Sequence, residues 1–193
     1  KAMLWANRNG YFYVLDRATG RFLLGEPFVK VNWASGLDAN GRPIQTRQPP
    51  GTPTYPGNQG GTNWYPPSFS PRTGLFYFSA WENYGSIYRT EEAQYQPGRN
   101  FSGGGFTVVT PVPGAPTIGI GRRGPINNWT DEVGNGAVMA IDPSTGKPRW
   151  TFRQFDVTDG GMLTTGSDLL FTGGREGYFF ALDARDGRVL WKT

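Results

Sequence analysis

The stretch Glu176-Gly-Tyr-Phe-Phe-Ala-Leu-Asp-Ala-Arg-Asp-Gly-Arg-Val-Leu-Trp191 indicates the fold of this chain. Gly177 to Leu182 is apolar and aromatic, which suits a half-buried strand. Asp183 to Gly187 is typical of a turn, because Asp bonds the backbone ahead of it and Gly accepts a positive φ. Arg188 to Trp191 begins a return strand, so the stretch predicts a β-hairpin.

The same pattern occurs twice more. Asn135-Gly-Ala-Val-Met-Ala-Ile-Asp-Pro-Ser-Thr-Gly-Lys-Pro-Arg-Trp150 matches it position for position, and so does Asn9-Gly-Tyr-Phe-Tyr-Val-Leu-Asp-Arg-Ala-Thr-Gly-Arg-Phe-Leu-Leu24, which ends in Leu instead of Trp. Gly136 and Gly177 lie 41 residues apart, and Gly10 lies 126 residues before Gly136, close to three such periods. A period near 40 with several short strands per repeat is the signature of a propeller blade.

The chain is therefore predicted to be all-β, an incomplete β-propeller of about two and three-quarter four-stranded blades. Residues 1–25 predict a blade that lacks its first strand, 62–155 a blade with a long insertion at 82–132, and 160–193 another blade. Because the chain opens and stops within strands, we expect it to have been cut from something longer. An unclosed set of blades leaves both terminal faces uncovered, so these residues alone should fold poorly.

Strands are predicted at Ala2–Asn7, Gly10–Asp16, Arg21–Gly25, Thr62–Ser70, Leu75–Trp81, Gly136–Asp142, Arg149–Phe155, Gly160–Thr165, Leu169–Thr172, Gly177–Asp183 and Arg188–Lys192. The connection 26–60 is too rich in Pro and Gly at its centre for a regular element. In the insertion, residues 90–94 predict a helical turn and Phe106–Val109 a short strand. Long loops are often functional, but a plain surface excursion fits the insertion as well.

Composition excludes several classes of function. The chain of 193 residues has no Cys and no His, which removes thiol nucleophiles, disulfides, His general bases and most zinc or haem ligands. The net charge is +4, but the Lys and Arg residues are scattered and form no nucleic-acid patch. No stretch approaches the roughly 20 apolar residues that cross a bilayer.

Two residue patterns predict structure rather than chemistry. Ala140 to Trp150 and Ala181 to Trp191 share the spacing Ala-x-Asp-x-x-x-Gly-x-x-x-Trp, in which the Trp can pack flat across the gap between blades. The first copy carries Val14 and Leu24 there, so its contact should be weaker or different. The G-x-G-x-x-G pattern at 119–124 is followed by Pro125 and no helical periodicity, so it predicts a Gly-rich loop rather than a nucleotide site.

The stretch Gly60-Gly-Thr-Asn-Trp-Tyr-Pro-Pro-Ser-Phe-Ser-Pro71 is the most specific in the chain. Gly-Gly permits close backbone approach, Asn63 offers donors and an acceptor, and Trp64 offers a flat face. This combination suits a planar polar ligand. A tight strand entry with a core Trp explains the same residues.

The repeats and this stretch together resemble the C-terminal half of the pyrroloquinoline-quinone (PQQ) dependent alcohol dehydrogenases of the methanol/ethanol type. The similarity covers most of the chain except 82–132. The matching segments are Asn7–Arg17, Val31–Asp38, Gly60–Trp64, Thr73–Tyr77 and Gly173–Asp183.

This resemblance implies an eight-bladed propeller with PQQ and a calcium or lanthanide ion near its axis. It implies a periplasmic enzyme that oxidises an alcohol to an aldehyde by hydride transfer to PQQ. Electrons would then pass to a cytochrome c or to a fused haem domain. The catalytic Asp and the metal ligands of the family would lie outside this chain, so the resemblance assigns no catalytic residue and no metal ligand here.

The resemblance also implies roles for particular residues. Arg8 would hydrogen-bond the quinone oxygens, where a cation stabilises the negative charge of the reduced quinone. Asn63 would contact PQQ, with Trp64 beside it. Asp159 stands before Gly160-Gly161, where some family members have a Trp, so this side of the pocket should differ.

Two other hypotheses use the same repeats. A non-catalytic quinoprotein-like propeller, acting as a scaffold for protein interactions in the cell envelope, needs the blade repeat but neither Arg8 nor the Asn63–Trp64 pair. A carbohydrate-binding propeller would use exposed aromatic residues such as Trp81 and Tyr84.

Overall fold

The computed structural model of the chain describes residues 1–101, 103–109, 136–154 and 158–193. In this part of the chain the regular structure is all β, and no helix has the length and hydrophobicity needed to cross a bilayer. The strands are β1 Ala2–Ala6, β2 Tyr11–Asp16, β3 Phe22–Pro27, β4 Ala34–Leu37, β5 Pro43–Gln45, β6 Ser68–Ser70, β7 Leu75–Trp81, β8 Gly85–Thr90, β9 Gly104–Val109, β10 Gly136–Asp142, β11 Lys147–Arg153, β12 Leu163–Thr164, β13 Leu169–Gly173, β14 Phe179–Asp183 and β15 Val189–Lys192.

Three antiparallel sheets make up the body of the fold. The first has the order β1-β2-β3, the second β11-β10-β7-β6 and the third β12-β13-β14-β15. Two hairpins, β4–β5 and β8–β9, form separate two-stranded sheets. Sheets of three, four and four strands agree with the predicted partial propeller, and the all-β fold class is confirmed. The division into blades at 1–25, 62–155 and 160–193 remains a prediction.

The second sheet is buried on both faces because its two central strands, β7 and β10, consist of small, apolar and aromatic residues. All seven residues of β7 are buried, and successive side chains point to opposite faces. Towards the first sheet the buried cluster is Phe12, Val14, Phe28, Phe76, Phe78, Ala80, Ala137, Met139 and Ile141. Towards the third sheet it is Leu75, Tyr77, Val138, Ala140, Met162, Leu170, Phe180, Leu182 and Ala184.

Each repeat closes its hairpin with the same Asp-to-Gly turn. In the third copy, the Asp183 carboxylate accepts the backbone N–H of Arg185, and Gly187 at φ 76° donates its N–H to the Asp183 carbonyl at 2.8 Å. An L side chain rarely adopts this φ, which explains the Gly. The equivalent pairs are Asp16 with Gly20 and Asp142 with Gly146.

The shared geometry of these turns lets one repeat pack on the next. The Trp150 indole donates its Nε1–H to the Ala184 carbonyl at 3.1 Å, and a Cβ built on Gly187 would lie 2.6 Å from its ring. The predicted contact across the gap between blades is therefore confirmed. In the first copy Leu24 lies 3.2 Å from the corresponding Cβ position of Gly146, and it has no indole donor.

Several predicted strands are shorter in the structure. The strand predicted at Thr62–Ser70 is wrong for its first six residues, and only Ser68–Ser70 pairs. The reason is that Pro66 and Pro67 lack the N–H that a strand ladder needs. Gly160–Thr165 reduces to Leu163–Thr164, since Gly160 packs closely against the Gly173 backbone instead. Phe155, the last residue of the predicted strand Arg149–Phe155, lies outside the described part of the chain.

The two long connections contain more regular structure than the sequence predicts. Hairpin β4–β5 lies within 26–60, and hairpin β8–β9 lies within the insertion, where it includes the predicted strand Phe106–Val109. The helical turn predicted at 90–94 is wrong, because β8 runs through Thr90 and Glu91 continues the pairing by donating to the Gly103 carbonyl. The Gly-rich loop at 119–124 lies outside the described residues.

Replacing the docking indole tests the contact between the second and third sheets. We expect Trp150→Ala to lower the unfolding free energy of the full-length protein by roughly 2 kcal/mol, because it removes ring packing and one hydrogen bond. Trp150→Phe, which keeps a ring, should lose about half as much. Trp64→Ala, at an 82% exposed position, serves as the control in the same denaturant titration. Equal effects of Trp150→Ala and Trp64→Ala would contradict the docking role.

Asp183 makes the fold sensitive to acid. Hydrogen bonds from Arg185, together with the Arg185 and Arg188 charges, lower the pKa of Asp183 from 3.8 to about 2. A depressed carboxyl pKa contributes stability above the unfolded pKa and loses it as the pH falls towards the folded pKa. Between about pH 4 and pH 2, Asp183→Asn should therefore flatten the fall in melting temperature. Parallel curves for the variant and the unmodified protein would refute this expectation.

Candidate functional site

Arg8 lies in the turn between β1 and β2, and its side chain is exposed. Its Nη2 donates to the Asn58 carbonyl at 2.6 Å, and its own carbonyl accepts the Gly61 N–H at 2.9 Å. A Cβ on Gly60, which has φ 82°, would lie 2.5 Å from the Arg8 carbonyl oxygen. The Gly60-Gly61 pair therefore allows the segment that carries Asn63 to lie directly against the Arg8 turn.

Asn63 and Trp64 follow this contact. The Asn63 amide nitrogen donates to Gln59 Oε1 at 2.9 Å and to the Gln59 carbonyl at 3.3 Å, and its oxygen accepts the Trp64 N–H at 2.9 Å. The Trp64 ring is 82% exposed, so the expectation of a core Trp is wrong. The flat face is available to a ligand, whereas the amide protons of Asn63 are engaged by Gln59.

Tyr65 joins this segment to the second and third sheets. Its ring lies 5.1 Å from that of Trp64 and stacks at 6.4 Å and 20° on that of Trp81, centroid to centroid. Trp81 in turn donates its Nε1–H to the Thr158 carbonyl at 2.7 Å. Trp81 and Tyr84 are only 4% and 7% exposed, so they do not provide the surface that the carbohydrate hypothesis requires.

Asp159 pairs with Arg175 beside the same aromatic group. The Arg175 Nε donates to Asp159 Oδ2 at 3.1 Å, and the guanidinium carbon lies 5.6 Å from the centre of the Trp81 ring. This separation is within the range of a cation–π contact. Where a Trp would place a ring, Asp159 therefore places a carboxylate, and this carboxylate holds the Arg175 guanidinium over the ring of Trp81.

The charges on these residues converge on Tyr65. Burial raises the pKa of the Tyr65 hydroxyl, Asp159 raises it further, and Arg175 and Arg8 lower it. The structure thus brings Arg8 and Asp159 to the same aromatic segment as Asn63 and Trp64. Whether these four residues bind a cofactor stays a prediction.

Sequence reasoning gave no role to Tyr65 or Arg175. Arg175 follows Gly173-Gly174 in a segment that carries the family resemblance, and that was the only signal for it. Tyr65 lies next to Trp64 in the Gly60–Pro71 stretch, where it could be taken for an ordinary core residue.

Arg8 also borders an open groove of about 360 Å³ on the side of the two hairpins. Burial mainly raises the pKa of Tyr88 in this groove, while Ser86 and the Arg8 charge lower it. The lining residues are Asn7, Arg8, Asn9, Trp33, Thr54, Pro56, Gly57, Asn58, Gly60 and Tyr88. Among the described residues no group of three or more Asp or Glu side chains is placed to hold a metal ion.

An exposed indole, amide groups and two guanidinium groups suit a planar ligand that carries negative charge. Guanidinium groups bind carboxylates and quinone oxygens through charge-assisted hydrogen bonds, and ring faces stack on planar ligands. PQQ is a planar quinone with three carboxylates, so the described residues fit one side of it. A hydrogen bond from the Asn63 amide would first require Gln59 to release it.

Comparison with known proteins agrees with the fold. The chain is 38% identical over its whole length to a quinoprotein alcohol dehydrogenase, PedH, of Pseudomonas putida, and spans 31% of that protein. It is 35% identical to a 1-butanol dehydrogenase (cytochrome c) of Thauera butanivorans, and spans 27% of it. The solved structure of a europium-containing methanol dehydrogenase superposes with a TM-score of 0.81 at 31% identity, with all of this chain and 32% of the other covered.

A protein-family profile described as "Outer membrane protein assembly factor BamB" matches residues 134–193. The fold and the matches define a propeller of the quinoprotein type. Within that class, the chain is similar over its whole length to quinoprotein alcohol dehydrogenases, and it spans about a third of the length of the relatives it matches.

The close approach of Gly60 to Arg8 can be tested separately from ligand binding. Left-handed strain on an Ala side chain costs roughly 1 to 2 kcal/mol. We expect Gly60→Ala to destabilise the full-length protein by more than this, because the Arg8 backbone must also move. Gly20→Ala is the matched control, since Gly20 has φ 73° and no atom within 4 Å of its Cβ position. Chemical denaturation of both variants gives the comparison, and an equal loss of stability would contradict the contact.

Proposed function

We propose that this chain forms one wall of the cofactor site of a PQQ-dependent alcohol dehydrogenase. The observation that carries the proposal is the position of the segment that holds Asn63 and Trp64. This segment contacts the Arg8 turn at Gly61, and its Tyr65 stacks on the Trp81 ring over which Arg175 lies. It occurs in a chain whose full length matches quinoprotein alcohol dehydrogenases. The substrate class would be an alcohol, oxidised to an aldehyde.

PQQ, when bound, would supply the two-electron acceptor that amino-acid side chains lack. The exposed guanidinium of Arg8 would stabilise negative charge on the quinone oxygens, because a fixed cation lowers the energy of charge that develops beside it. Trp64 would offer its ring face to the planar cofactor, and the second lone pair of the Asn63 oxygen would remain free to accept a hydrogen bond.

The remaining parts of the enzyme would lie outside the described residues. A calcium or lanthanide ion would be held by ligands elsewhere in the protein, in line with the europium that the similar methanol dehydrogenase contains. A cytochrome c or a fused haem domain would accept the electrons, as the name of the 1-butanol dehydrogenase indicates for that relative. The family implies a periplasmic location.

A non-catalytic scaffold is the alternative, and the match to the outer membrane assembly factor profile favours it. That profile covers residues 134–193, which hold the blade repeat but neither Arg8 nor Asn63. The alcohol dehydrogenases align with the whole chain, including the segments that hold both residues. The scaffold hypothesis therefore explains less of the sequence.

Cofactor binding by the full-length protein distinguishes the two functions. We expect PQQ to bind with a dissociation constant that depends on calcium or a lanthanide and rises about tenfold or more in Arg8→Ala and Asn63→Ala, since each loses a hydrogen bond. Arg21→Ala, an exposed cation at the opposite end of the sheets, is the matched control. The measurement is a titration followed by the absorption of PQQ.

Metal-dependent binding that weakens in both variants but not in the control supports the enzyme. A folded, metal-loaded protein that binds no PQQ would overturn the proposed function and favour the scaffold. Binding that is unchanged in both variants would remove Arg8 and Asn63 from the site.

A further inference from the structure

Arg175 belongs to the wall of the proposed site, and it forms an ion pair there with Asp159. The Asp159 carboxylate and the Arg175 guanidinium meet at 3.1 Å, with side chains that are 41% and 31% exposed. Trp81 lies beneath the guanidinium and is itself fixed by its hydrogen bond to the Thr158 carbonyl. Arg175 is therefore held from two directions by residues of the second and third sheets.

Most of the donors of this guanidinium remain available. An arginine has five N–H groups, and among the described residues the bond from Nε to Asp159 is the one that Arg175 makes. Stacking on a ring leaves the edge of a guanidinium open to carboxylates, which it binds with two parallel hydrogen bonds. The geometry thus presents a preorganised, partly exposed anion-binding group.

Arg175 and Arg8 act on the same segment from different elements. The Arg8 turn meets this segment through the bond from the Gly61 N–H to the Arg8 carbonyl, and Arg175 lies over the Trp81 ring on which Tyr65 stacks. Arg8 comes from the β1–β2 turn and Arg175 from the β13–β14 turn. A rigid planar ligand with anionic groups at separate edges could contact both. Asp159 offsets one of the two positive charges, which keeps Arg175 in place without leaving two unpaired cations.

We propose that Arg175 is a second cofactor-binding cation, which binds a carboxylate of PQQ, and that Asp159 is the positioning residue that holds it. This inference rests on the proposed function, because it needs the cofactor to lie against Trp64 and Tyr65. Some family members have a Trp where this chain has Asp159. We attribute this difference to a change in how the PQQ carboxylate is bound. A ring at 159 would provide no ion pair for Arg175.

The test compares PQQ with its trimethyl ester, in which the carboxylates carry no charge. In the full-length protein Arg175→Ala should weaken PQQ binding about tenfold or more, because a charge-assisted hydrogen bond is lost. The same variant should leave binding of the ester unchanged, which a merely structural role would not predict. Asp159→Asn should weaken PQQ binding less and likewise spare the ester.

Two further variants make the result specific. Arg175→Gln keeps much of the side-chain volume, so it tests the charge if Arg175→Ala folds poorly. Arg72→Ala is the matched control, since Arg72 also pairs with an aspartate, Asp168, but lies at the opposite end of the sheets. Melting temperatures of all variants show whether each is folded.

The outcomes separate this inference from the proposed function. If Arg8→Ala and Asn63→Ala weaken PQQ binding and a folded Arg175 variant does not, the role of Arg175 is refuted while the function stands. Equal weakening of PQQ and ester binding by Arg175→Ala would also refute it, since the effect would not depend on the carboxylate. If the unmodified protein binds no PQQ, the proposed function fails first.

Discussion

The double-sided burial of the second sheet is the constraint on which the rest of the structure depends. Strands β7 and β10 bury side chains towards both neighbouring sheets, so neither neighbour can shift without opening a cavity in one of the two cores. Trp150 adds a directed contact at the rim, because its indole needs both the Ala184 carbonyl and the bare Gly187 backbone. Together they set the positions of the strand ends, and with them the site.

The candidate site is formed at one end of these sheets by residues that are far apart in sequence. Arg8 meets Asn58 across 50 residues, and Trp81 meets the Thr158 carbonyl across 77. Each contact uses a backbone carbonyl of a segment that connects strands, where no strand ladder occupies it. The site is therefore as rigid as the sheets that carry it, which suits a group that must bind a planar cofactor in one orientation.

The electrostatics of the site follow from burial as much as from the number of charges. Tyr65 is shielded from water, so Arg8, Asp159 and Arg175 act on it through a medium that screens them less than solvent does. At the opposite end of the sheets, Asp183 is satisfied within its own turn by Arg185 and stabilises the hairpin. An ion pair thus stabilises the fold at one end of the sheets, and a similar pair belongs to the proposed cofactor site at the other.

The sequence alone determined the all-β propeller, the three Asp-to-Gly turns and the docking of Trp150, because each rests on local spacing that repeats along the chain. It also indicated Arg8, Asn63, Trp64 and Asp159 as candidates, through a family resemblance rather than through their spacing. Only the tertiary structure decided that Trp64 is exposed, that Gln59 engages Asn63 and that Arg175 lies over Trp81. The exposure of Trp64 and the bond between Gln59 and Asn63 depend on the path of the connection before β6, and the Arg175 contact depends on how the second and third sheets pack. No short-range pattern in the sequence predicts either.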